Sequence, residues 1–264
     1  MLLMQRQGLN YFQFPGLAQV PGLFHGITTC LSGNNQTRHP FNIGLDCGDP
    51  SESVWDNRHR MLSAFASGLG IFARQVHGVQ VAVWPDHQDL QKSIPSGAPF
   101  VYLKGDALVT SVSGHALVIQ TADCQSVLLV DPIKRVAANV HSGWRGSVSN
   151  LLSGTIAVMK SHWGCRPGDI LGAIGPSLGP CCAEFIHYRR EIPERYWPYR
   201  QHGDLFDFWQ MSVDQLTAAG VPSKQIAASG ICTRCNRHLF FSYRGEGGGQ
   251  GRFASVIVSN SAHS

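Results

Sequence analysis

Cys124 and His141 carry a thiol and an imidazole that could do chemistry together, and the segment between them predicts that they meet. Two apolar stretches, Ser126–Val130 and Val136–Val140, are separated by Asp131-Pro132-Ile133-Lys134. Because Asp in the first position and Pro in the second favour a β-turn, we expect a hairpin. A turn centred on the Pro-Ile pair would place residue 124 opposite residue 141, with Cβ atoms about 4.5–5.5 Å apart.

At that separation the thiol and the imidazole could share one metal ion, or hydrogen-bond as nucleophile and general base. His77 precedes Gly78 and an apolar strand. It would complete a set of two imidazoles and one thiolate, although a histidine before glycine is also typical of a turn. Three protein ligands leave the fourth tetrahedral position of zinc open, as in catalytic sites. The spacing alone is compatible with a metal site and with a nucleophile–base pair.

Three further residues near these motifs are candidates for proton transfer or anion binding. Asp123, beside the thiol, could orient a ligand or act as general acid and base, or only stabilise a turn. Arg145 precedes a helix predicted to begin at Ser147, where an anion such as phosphate could bind; a surface salt bridge is the alternative. Arg244 precedes the glycine-rich run Gly245–Gly251, which lacks a P-loop or Rossmann pattern and is interpreted as a mobile loop.

Strands and helices must position these residues, and both types are visible in the sequence. A helix capped by Asp49 is predicted from Ser51 to about Leu69, and others from Ser147 to Ser161 and from Ser212 to Ala219. Strands are predicted at Val79–Trp84, Ala107–Thr110, Ala116–Thr121, Ile170–Ile174 and Phe253–Val258. The polar segment His87–Pro99 is predicted as a surface loop. We therefore expect one domain over residues 1–264, an α+β or mixed α/β sandwich of mixed sheets with flanking helices.

Composition excludes several functional classes. The 264 residues are 43% hydrophobic, with 29 glycines and 14 prolines, which is typical of a loop-rich globular protein. No apolar run approaches the roughly 20 residues that span a bilayer, and Met1–Asn10 lacks the features of a signal peptide, so a cytoplasmic protein without a membrane partner is expected. Net charge is +4 without a basic block, and arginine far outnumbers lysine. This pattern favours contacts with small anions over nucleic-acid binding.

The eight cysteines are irregularly spaced and are expected to be reduced thiols. Cys232-Thr-Arg-Cys235 is a C-x-x-C motif, but a structural zinc site needs a second pair of ligands. The adjacent Cys181 and Cys182 do not have the usual spacing of such a pair. Buried or incidental thiols are therefore the favoured interpretation, with a metal knuckle as the alternative.

Motifs distributed over nearly the whole chain carry a family resemblance. They are Thr28-Thr29, Asn42-Ile43-Gly44, Asn57-Arg58, Gln75-Val76-His77-Gly78, Asp106–Thr110, Thr121-Ala122-Asp123-Cys124, His141–Gly146, Gly175–Cys182, Phe241–Arg244 and Gly251-Arg252-Phe253. In this order they resemble the laccase-domain family, known as multicopper polyphenol oxidoreductases and, for many members, as purine nucleoside phosphorylases with adenosine deaminase activity.

The resemblance implies a zinc-dependent enzyme with His77, Cys124 and His141 as metal ligands. Its expected reactions are phosphorolysis of adenosine or inosine to free base and ribose 1-phosphate, and adenosine deamination. Asp123, Cys124 and His141 would be the catalytic residues. Substrate or phosphate would be bound by Asn42, Arg58, Gln75, Arg145 and Arg244. Two departures from the family pattern are Cys30, where members usually carry Arg, and Ala183, where Tyr is frequent.

Three other functions compete with this one. A copper-dependent polyphenol oxidase is suggested by the family's other name, but conventional multicopper sites use paired H-x-H motifs, and none of the 12 histidines forms one. A cysteine hydrolase would use Cys124 as nucleophile and His141 as base without a metal. A binding module without catalysis would tolerate changes to all of these residues.

Overall fold

Two β-sheets with helices on their outer faces make up the chain, seen in a computed structural model that describes residues 1–32, 41–85, 99–248 and 251–259. Within these ranges the strands are β1 Leu2–Arg6, β2 Leu9–Gln13, β3 Leu23–Ser32, β4 Leu69–Arg74, β5 Val81–Trp84, β6 Phe100–Lys104, β7 Ala107–Thr110, β8 His115–Thr121, β9 Gln125–Asp131, β10 Val136–Ser142, β11 Leu171–Ile174, β12 Ile226–Ala228 and β13 Phe253–Ser259. The helices are α1 Pro15–Ala18, α2 Ser51–Ala64, α3 Trp144–Val148, α4 Leu151–Trp163, α5 Tyr188–Glu191, α6 Phe208–Ala218 and α7 Tyr243–Glu246.

Both sheets are mixed. The first has the strand order β1-β2-β3-β13-β8-β4-β6, and the second has the order β12-β11-β9-β10-β7-β5. In the first sheet β4 runs parallel to β6 and β8, and in the second β11 is parallel to β12 and β5 to β7. The remaining pairs are antiparallel. This architecture confirms the predicted α+β sandwich of mixed sheets.

The two sheets face each other across an apolar core, and helices cover their outer faces. Leu128 and Val130 of β9 pack with Ile119 of β8 between the sheets. The alternate residues Val127 and Leu129 pack on the other face, with residues of α4 and α6. Helix α2 covers the outer face of the first sheet. Because β9 is covered on both faces, its sequence is a continuous apolar run rather than an alternating one.

Strands β9 and β10 form the predicted hairpin, but the predicted register is wrong by two residues. His141 pairs with Ser126, not with residue 124. Oδ1 of Asp131 accepts hydrogen bonds from the second and third backbone N–H groups after it, at 2.9 and 2.8 Å, and residues 132–135 form a four-residue turn. Because side chains alternate with a period of two, the shift keeps Cys124 on the face expected for it, now diagonal to His141.

Helix α2 begins at Ser51 as predicted but ends at Ala64, and Leu69 starts β4 instead. Asp49 does not cap it, because its carboxylate accepts a 2.8 Å hydrogen bond from the amide of Asn42. At 14 residues, α2 is the longest helix in the described ranges. None of the helices described is long and apolar enough to cross a bilayer.

The other two predicted helices also begin elsewhere. The one expected from Ser147 is two helices, α3 and α4, with Asn150 between them in a left-handed conformation and accepting a bond from the N–H of Ser153. The one expected from Ser212 starts a turn earlier, because the side chain of Asp207 caps α6. Sequence periodicity located these helices but missed Asn and Asp as their N-caps.

Two predicted loops fall partly outside the described residues. Only Pro99 of the segment His87–Pro99 is described. The run Gly245–Gly251, interpreted from sequence as a loop, begins inside helix α7, and its residues 249 and 250 lie outside the described part.

A buried histidine of β3, hydrogen-bonded to the residue before α1, gives the fold a pH dependence. His25 is fully buried, and its Nε2 accepts a 2.9 Å hydrogen bond from the N–H of Phe14. Burial lowers the pKa of His25 from 6.5 to about 4. The unfolded chain therefore binds a proton more readily than the folded one, and the stability that His25 contributes is present above pH 6.5 and is lost as pH falls toward 4.

We expect His25→Gln to flatten this pH dependence, because glutamine can accept the same bond but does not titrate. Between pH 7.5 and 5 the wild-type free energy of unfolding should fall by about 2 kcal/mol more than that of the variant. Urea unfolding at both pH values measures the difference. The exposed His162, changed to Gln, should keep the wild-type slope; equal slopes for His25→Gln and wild type would contradict the assignment.

Candidate metal centre and its cavity

Two imidazoles and one thiol converge near the C-terminal ends of β4, β8 and β10. His77 lies in the loop after β4, Cys124 lies between β8 and β9, and His141 lies near the end of β10. One donor atom from each can be chosen so that all three lie within 4.8 Å of one another. The two imidazole centroids are 4.9 Å apart and nearly perpendicular. The structure thus brings together all three residues expected to bind a metal.

Asp106 holds the imidazole of His141 and the backbone of the loop that carries His77. Its Oδ1 lies 2.9 Å from Nδ1 of His141, which leaves Nε2 of that ring for another partner. The same carboxylate accepts hydrogen bonds from the N–H groups of His77 and Gly78, at 2.9 and 2.7 Å, and from that of Val76 at 3.3 Å. His77 has a φ of +58°, and these bonds fix the loop that carries it. A buried carboxylate behind a ligating histidine is a common second partner in metal sites.

The surroundings of the three donors fit a metal ion. Gly143 lies against them: a Cβ there would stand 3.1 Å from Cδ2 of His77 and 3.2 Å from Sγ of Cys124. The glycine therefore leaves space around the donors that any other residue would reduce. Two imidazoles and a thiolate match the N/S ligands of zinc, with one tetrahedral position left for a further ligand.

Electrostatics favours an ionised thiol in this group. Burial raises the pKa of Cys124, but the neighbouring His141 and His77 outweigh burial and bring the pKa below its ordinary value. For His141, burial lowers the pKa, and Cys124 and Asp106 together raise it above the ordinary value. Burial also raises the pKa of Asp106, yet hydrogen bonds from His141 and from backbone N–H groups bring it below normal. The chain therefore stabilises a thiolate beside a positive charge.

A cavity of about 1170 Å³ opens onto the three donors. Four arginines whose side chains are not fully buried line the cavity: Arg74, Arg145, Arg244 and Arg252. Several aromatic rings also line it: Tyr102, Trp144, Phe185, Phe208 and Tyr243. Trp144 and Phe185 are packed edge to face with centroids 6.1 Å apart. The cavity thus combines positive charge for an anion with flat apolar faces for a ring.

Asp123 borders the cavity beside Cys124 and is held by two hydrogen bonds. Its Oδ1 accepts a 2.6 Å bond from the hydroxyl of Thr233, and its Oδ2 accepts a 2.6 Å bond from the N–H of Arg244. Its backbone has a φ of +91°. Both oxygens are therefore positioned by segments distant in sequence, the loop after β12 and helix α7, rather than by a local turn.

Arg145 and Arg244 both line the cavity with exposed side chains. The guanidinium of Arg145 lies over the Trp144 ring, 4.5 Å from its centroid. It is not placed before a helix at Ser147, as the sequence suggested, because Arg145 is itself the second residue of the five-residue helix α3. The guanidinium of Arg244 donates a 3.0 Å bond to the carbonyl of Glu184. The helix start predicted at Ser147 is therefore wrong, and what Arg145 and Arg244 offer at the cavity is their guanidinium groups.

The other three candidate residues make mainly intramolecular contacts. Gln75 lines the cavity, but its side-chain amide pairs with the backbone of Gln120 in both directions, at 2.8 and 2.9 Å. Arg58 is 1% exposed and donates to the carbonyl of Ile43 and to the hydroxyl of Tyr102.

Asn42 is fully buried and does not line the cavity in the described part of the chain. Its Oδ1 accepts bonds from the N–H groups of Gly44 and Arg252, both at 2.8 Å. Its amide donates to the carbonyl of Gly44 and to Asp49. Both polar atoms of its side chain are therefore hydrogen-bonded within the protein. We infer that Asn42 orders the wall of the cavity.

Sequence reasoning missed Asp106 and the aromatic pair of Trp144 and Phe185. Asp106 directly precedes the apolar run Ala107–Val109, and a carboxylate next to a run that predicts a buried strand is unusual. That signal could have marked it. The pairing of Trp144 with Phe185 joins segments 41 positions apart and had no local signal. Cys30, which replaces the family's arginine, does not line the cavity in the described residues, whereas Ala183 does.

We expect Gly143→Ala to weaken metal binding selectively. The added methyl group would press on His77 and Cys124, so zinc affinity should fall by about 10–100-fold. Gly143 has a φ of −68°, which alanine adopts readily, so the free energy of unfolding without metal should change by less than about 1 kcal/mol. Competition with a chromophoric chelator measures the affinity. Gly154→Ala, where the methyl group meets nothing within 4 Å, is the control, and unchanged affinity in Gly143→Ala would contradict the packing argument.

Comparison with known proteins finds relatives that match this chain over most of their length and of its own. A protein named purine nucleoside phosphorylase YlmD from Geobacillus stearothermophilus is 31% identical over 258 residues, which cover 92% of each chain. A purine nucleoside phosphorylase from Bacteroides thetaiotaomicron is 34% identical over 268 aligned positions, covering 93% of this chain and 94% of that one.

A solved structure and a family model also match this chain. The crystal structure of YlmD from Geobacillus stearothermophilus matches with a TM-score of 0.81 and 28% identity, over 98% of both chains. The model of a family described as multi-copper polyphenol oxidoreductase laccase matches residues 24–260. The family resemblance stated from the motifs is thereby confirmed: the chain belongs to this laccase-like family.

Proposed function

We propose that the protein is a zinc-dependent purine nucleoside phosphorylase that works as one domain over its 264 residues. It would convert adenosine or inosine and phosphate to free base and ribose 1-phosphate. The observation that carries this proposal is the single cavity that joins the three metal donors to exposed arginines and to aromatic faces. The names of the relatives support it, because they are called purine nucleoside phosphorylases.

His77, Cys124 and His141 would hold the metal, with Asp106 orienting His141 and the His77 loop. When bound there, zinc would supply Lewis-acid polarisation of a substrate oxygen. As metal ligands, Cys124 would be a thiolate and both imidazoles would be neutral. His77 is exposed and lines the cavity. We propose zinc as the resident metal, because mixed N/S ligands in a tetrahedral arrangement suit it.

In the proposed reaction the chain's own residues position two substrates and move one proton. Trp144 and Phe185 offer flat faces for the purine ring and exclude water from one wall. Phosphate attacks the ribose C1′ as the bond from C1′ to the purine nitrogen breaks, and the departing base takes up a proton. Asp123 is the proposed carrier of that proton, because its carboxylate lies beside Cys124 and borders the cavity.

Phosphate is proposed to bind Arg145 and Arg244, whose guanidinium groups are exposed at the cavity. We expect Arg145→Met to raise the KM for phosphate by about 10–100-fold, since a charge-assisted hydrogen bond contributes about 1.5–3 kcal/mol. Initial rates of inosine phosphorolysis at varied phosphate concentrations measure the effect.

The matched control is Arg189→Met. Arg189 also lies over an aromatic ring, 5.5 Å from the centroid of Tyr188, but it does not line this cavity. The control should keep the wild-type KM. An equal KM in Arg145→Met would remove Arg145 from the phosphate site without affecting the metal assignment.

The same centre is proposed to deaminate adenosine. Water adds at C6 of the purine, ammonia leaves, and inosine is formed, without participation of phosphate. Asp123 again would move the proton, from water to the departing amino group. Because Arg145 binds only phosphate in this account, deamination should be unaffected in Arg145→Met, which separates the two reactions.

A cysteine hydrolase is the second candidate, and a specific arrangement favours it. Cys124, His141 and Asp106 are placed as nucleophile, base and orienting carboxylate, with the thiol ionised by its neighbours. A free thiolate of this kind reacts rapidly with iodoacetamide at neutral pH, whereas a metal-bound thiolate is protected. Rapid alkylation of Cys124 in metal-loaded protein would favour the hydrolase.

A copper polyphenol oxidase would require copper for turnover, and full activity with zinc alone would exclude it.

The proposed substrates are a purine nucleoside and phosphate, which are small molecules. The proposal includes no nucleic-acid or membrane partner and places the enzyme in the cytoplasm, as the sequence composition suggested.

A further inference from the structure

Four cysteines that are far apart in sequence meet at the surface beside the cavity. Cys181 and Cys182 lie on the loop after β11, and Cys232 and Cys235 on the loop after β12. Sγ of Cys235 lies 3.7 Å from Sγ of Cys181 and 3.6 Å from Sγ of Cys182. All four sulfurs lie within 4.8 Å of one another. The C-x-x-C motif therefore lies against the adjacent pair whose sequence spacing had counted against a shared site, and this geometry favours the alternative of a metal knuckle.

The spacing of the sulfurs fits one shared ion. With Zn–S bonds of about 2.3 Å, the edges of a tetrahedron of four sulfurs are about 3.8 Å long. The two distances to Cys235, 3.6 and 3.7 Å, are close to that length. A disulfide bond would require about 2.05 Å. These two distances are too long for a disulfide bond and fit two edges of such a tetrahedron, and no other pair of the four sulfurs is more than 4.8 Å apart.

The backbone around Cys232 supports a thiolate. Burial raises the pKa of Cys232, but hydrogen bonds from the backbone N–H groups of Gly179 and Cys235 bring it below the ordinary value. Burial and the neighbouring thiol of Cys235 raise the pKa of Cys182 to about 11. Four thiolates cannot accumulate here without a compensating positive charge. A bound divalent cation supplies that charge and deprotonates its ligands.

We propose that Cys181, Cys182, Cys232 and Cys235 bind one zinc ion in a closed, tetrahedral structural site. Four sulfur ligands fill the coordination sphere, so this ion has no open position for a substrate. It is a different site from the one formed by His77, Cys124 and His141, which share no residue with it. The inference does not depend on the proposed phosphorylase activity.

The ion would join the two loops that position Asp123. Ser177 and Cys232 form a parallel bridge between the loops, with the N–H of Thr233 donating to the carbonyl of Ser177 at 3.0 Å. From one loop the N–H of Leu178 donates to the carbonyl of Asp123, and from the other the hydroxyl of Thr233 donates to its carboxylate. Cross-linking would restrict the motion of both loops. The zinc site would thereby help to hold Asp123, the proposed proton carrier, in position.

Zinc stoichiometry tests the proposal. The full-length protein, purified with zinc in the growth medium and desalted, should contain two zinc ions per chain by elemental mass spectrometry. The double variant Cys232→Ser/Cys235→Ser should retain one, and His141→Ala should retain one as well. Cys165→Ala, which removes a buried thiol outside both groups, should retain two. One zinc ion in the wild-type protein, lost with His141, would overturn the proposal.

A second measurement needs no variant and therefore holds even where the double variant does not fold. Cys181 and Cys235 are exposed, so iodoacetamide can reach them when no metal ion covers their sulfurs. In the native zinc protein, peptide mapping should show both protected, and a strong chelator should make them reactive. Rapid alkylation before chelator is added, or recovery of these cysteines as a disulfide, would contradict the zinc site.

Discussion

Replacing Cys124 with alanine should lower kcat/KM for inosine phosphorolysis by at least about 10³-fold, equivalent to about 4 kcal/mol of transition-state stabilisation. The substitution removes the only sulfur ligand from the set of His77, Cys124 and His141 and leaves two imidazoles to hold the metal. Zinc bound at this centre should be lost on desalting, while the second zinc ion proposed at the four cysteines should remain. Activity and zinc content are measured on the same preparation.

The control for a missing thiol is Cys165→Ala. Cys165 is 1% exposed and belongs to the core between the second sheet and its helices, so the change should leave the kinetic constants unaltered. Near wild-type activity in Cys124→Ala would exclude both the metal centre and a Cys124 nucleophile as the source of turnover.

Asp106→Asn should damage both stability and metal binding. The carboxylate accepts bonds from three backbone N–H groups and from His141, and an asparagine oxygen can replace only one of its two oxygens. Placing the amide at Oδ2 would leave the N–H groups of Gly78 and Val76 without an acceptor. We expect a loss of about 2–4 kcal/mol in the free energy of unfolding of the metal-free protein. Zinc affinity should fall by about 10–100-fold, because His141 loses its orienting charge.

Asp131→Ala separates these two effects, because both backbone bonds go to Oδ1 of Asp131 and alanine removes that acceptor. Asp131 is as deeply buried as Asp106, and it accepts two backbone bonds at the far end of the β9–β10 hairpin. Its variant should lose stability in urea unfolding but keep the wild-type zinc affinity. If Asp106→Asn also kept the wild-type affinity, the role assigned to Asp106 in orienting the ligands would be wrong.

Local patterns in the sequence were enough to locate the hairpin and its two chemical residues. The apolar runs on either side of Asp131 predicted β9 and β10, and His77, before Gly78 and an apolar strand, was the third candidate ligand. The register was wrong because the Asp131 side chain organises a four-residue turn, and turn length is set by hydrogen bonds that apolar patterning does not report. The error was an even number of residues, so the predicted face of the hairpin was still right.

Contacts between distant segments could not be predicted in this way. The Cys182–Cys235 contact joins residues 53 positions apart, and the two pairs have different spacings, so no single motif describes them. Asp106 organises His77 and His141 across 29 and 35 positions. Asn42 was expected to bind substrate because it lies in a family motif, yet its bonds to Gly44 and Arg252 show a residue that holds two segments together. Such roles depend on tertiary packing.

Product analysis of metal-quantified protein tests the central claim most directly. Inosine and adenosine are incubated with the protein, with and without phosphate, and bases, nucleosides and ribose 1-phosphate are separated by chromatography. The account predicts phosphate-dependent release of hypoxanthine from inosine and of adenine from adenosine, with equimolar ribose 1-phosphate, and loss of these products in Cys124→Ala. No turnover of either nucleoside by protein with zinc bound at His77, Cys124 and His141 would contradict the proposed function.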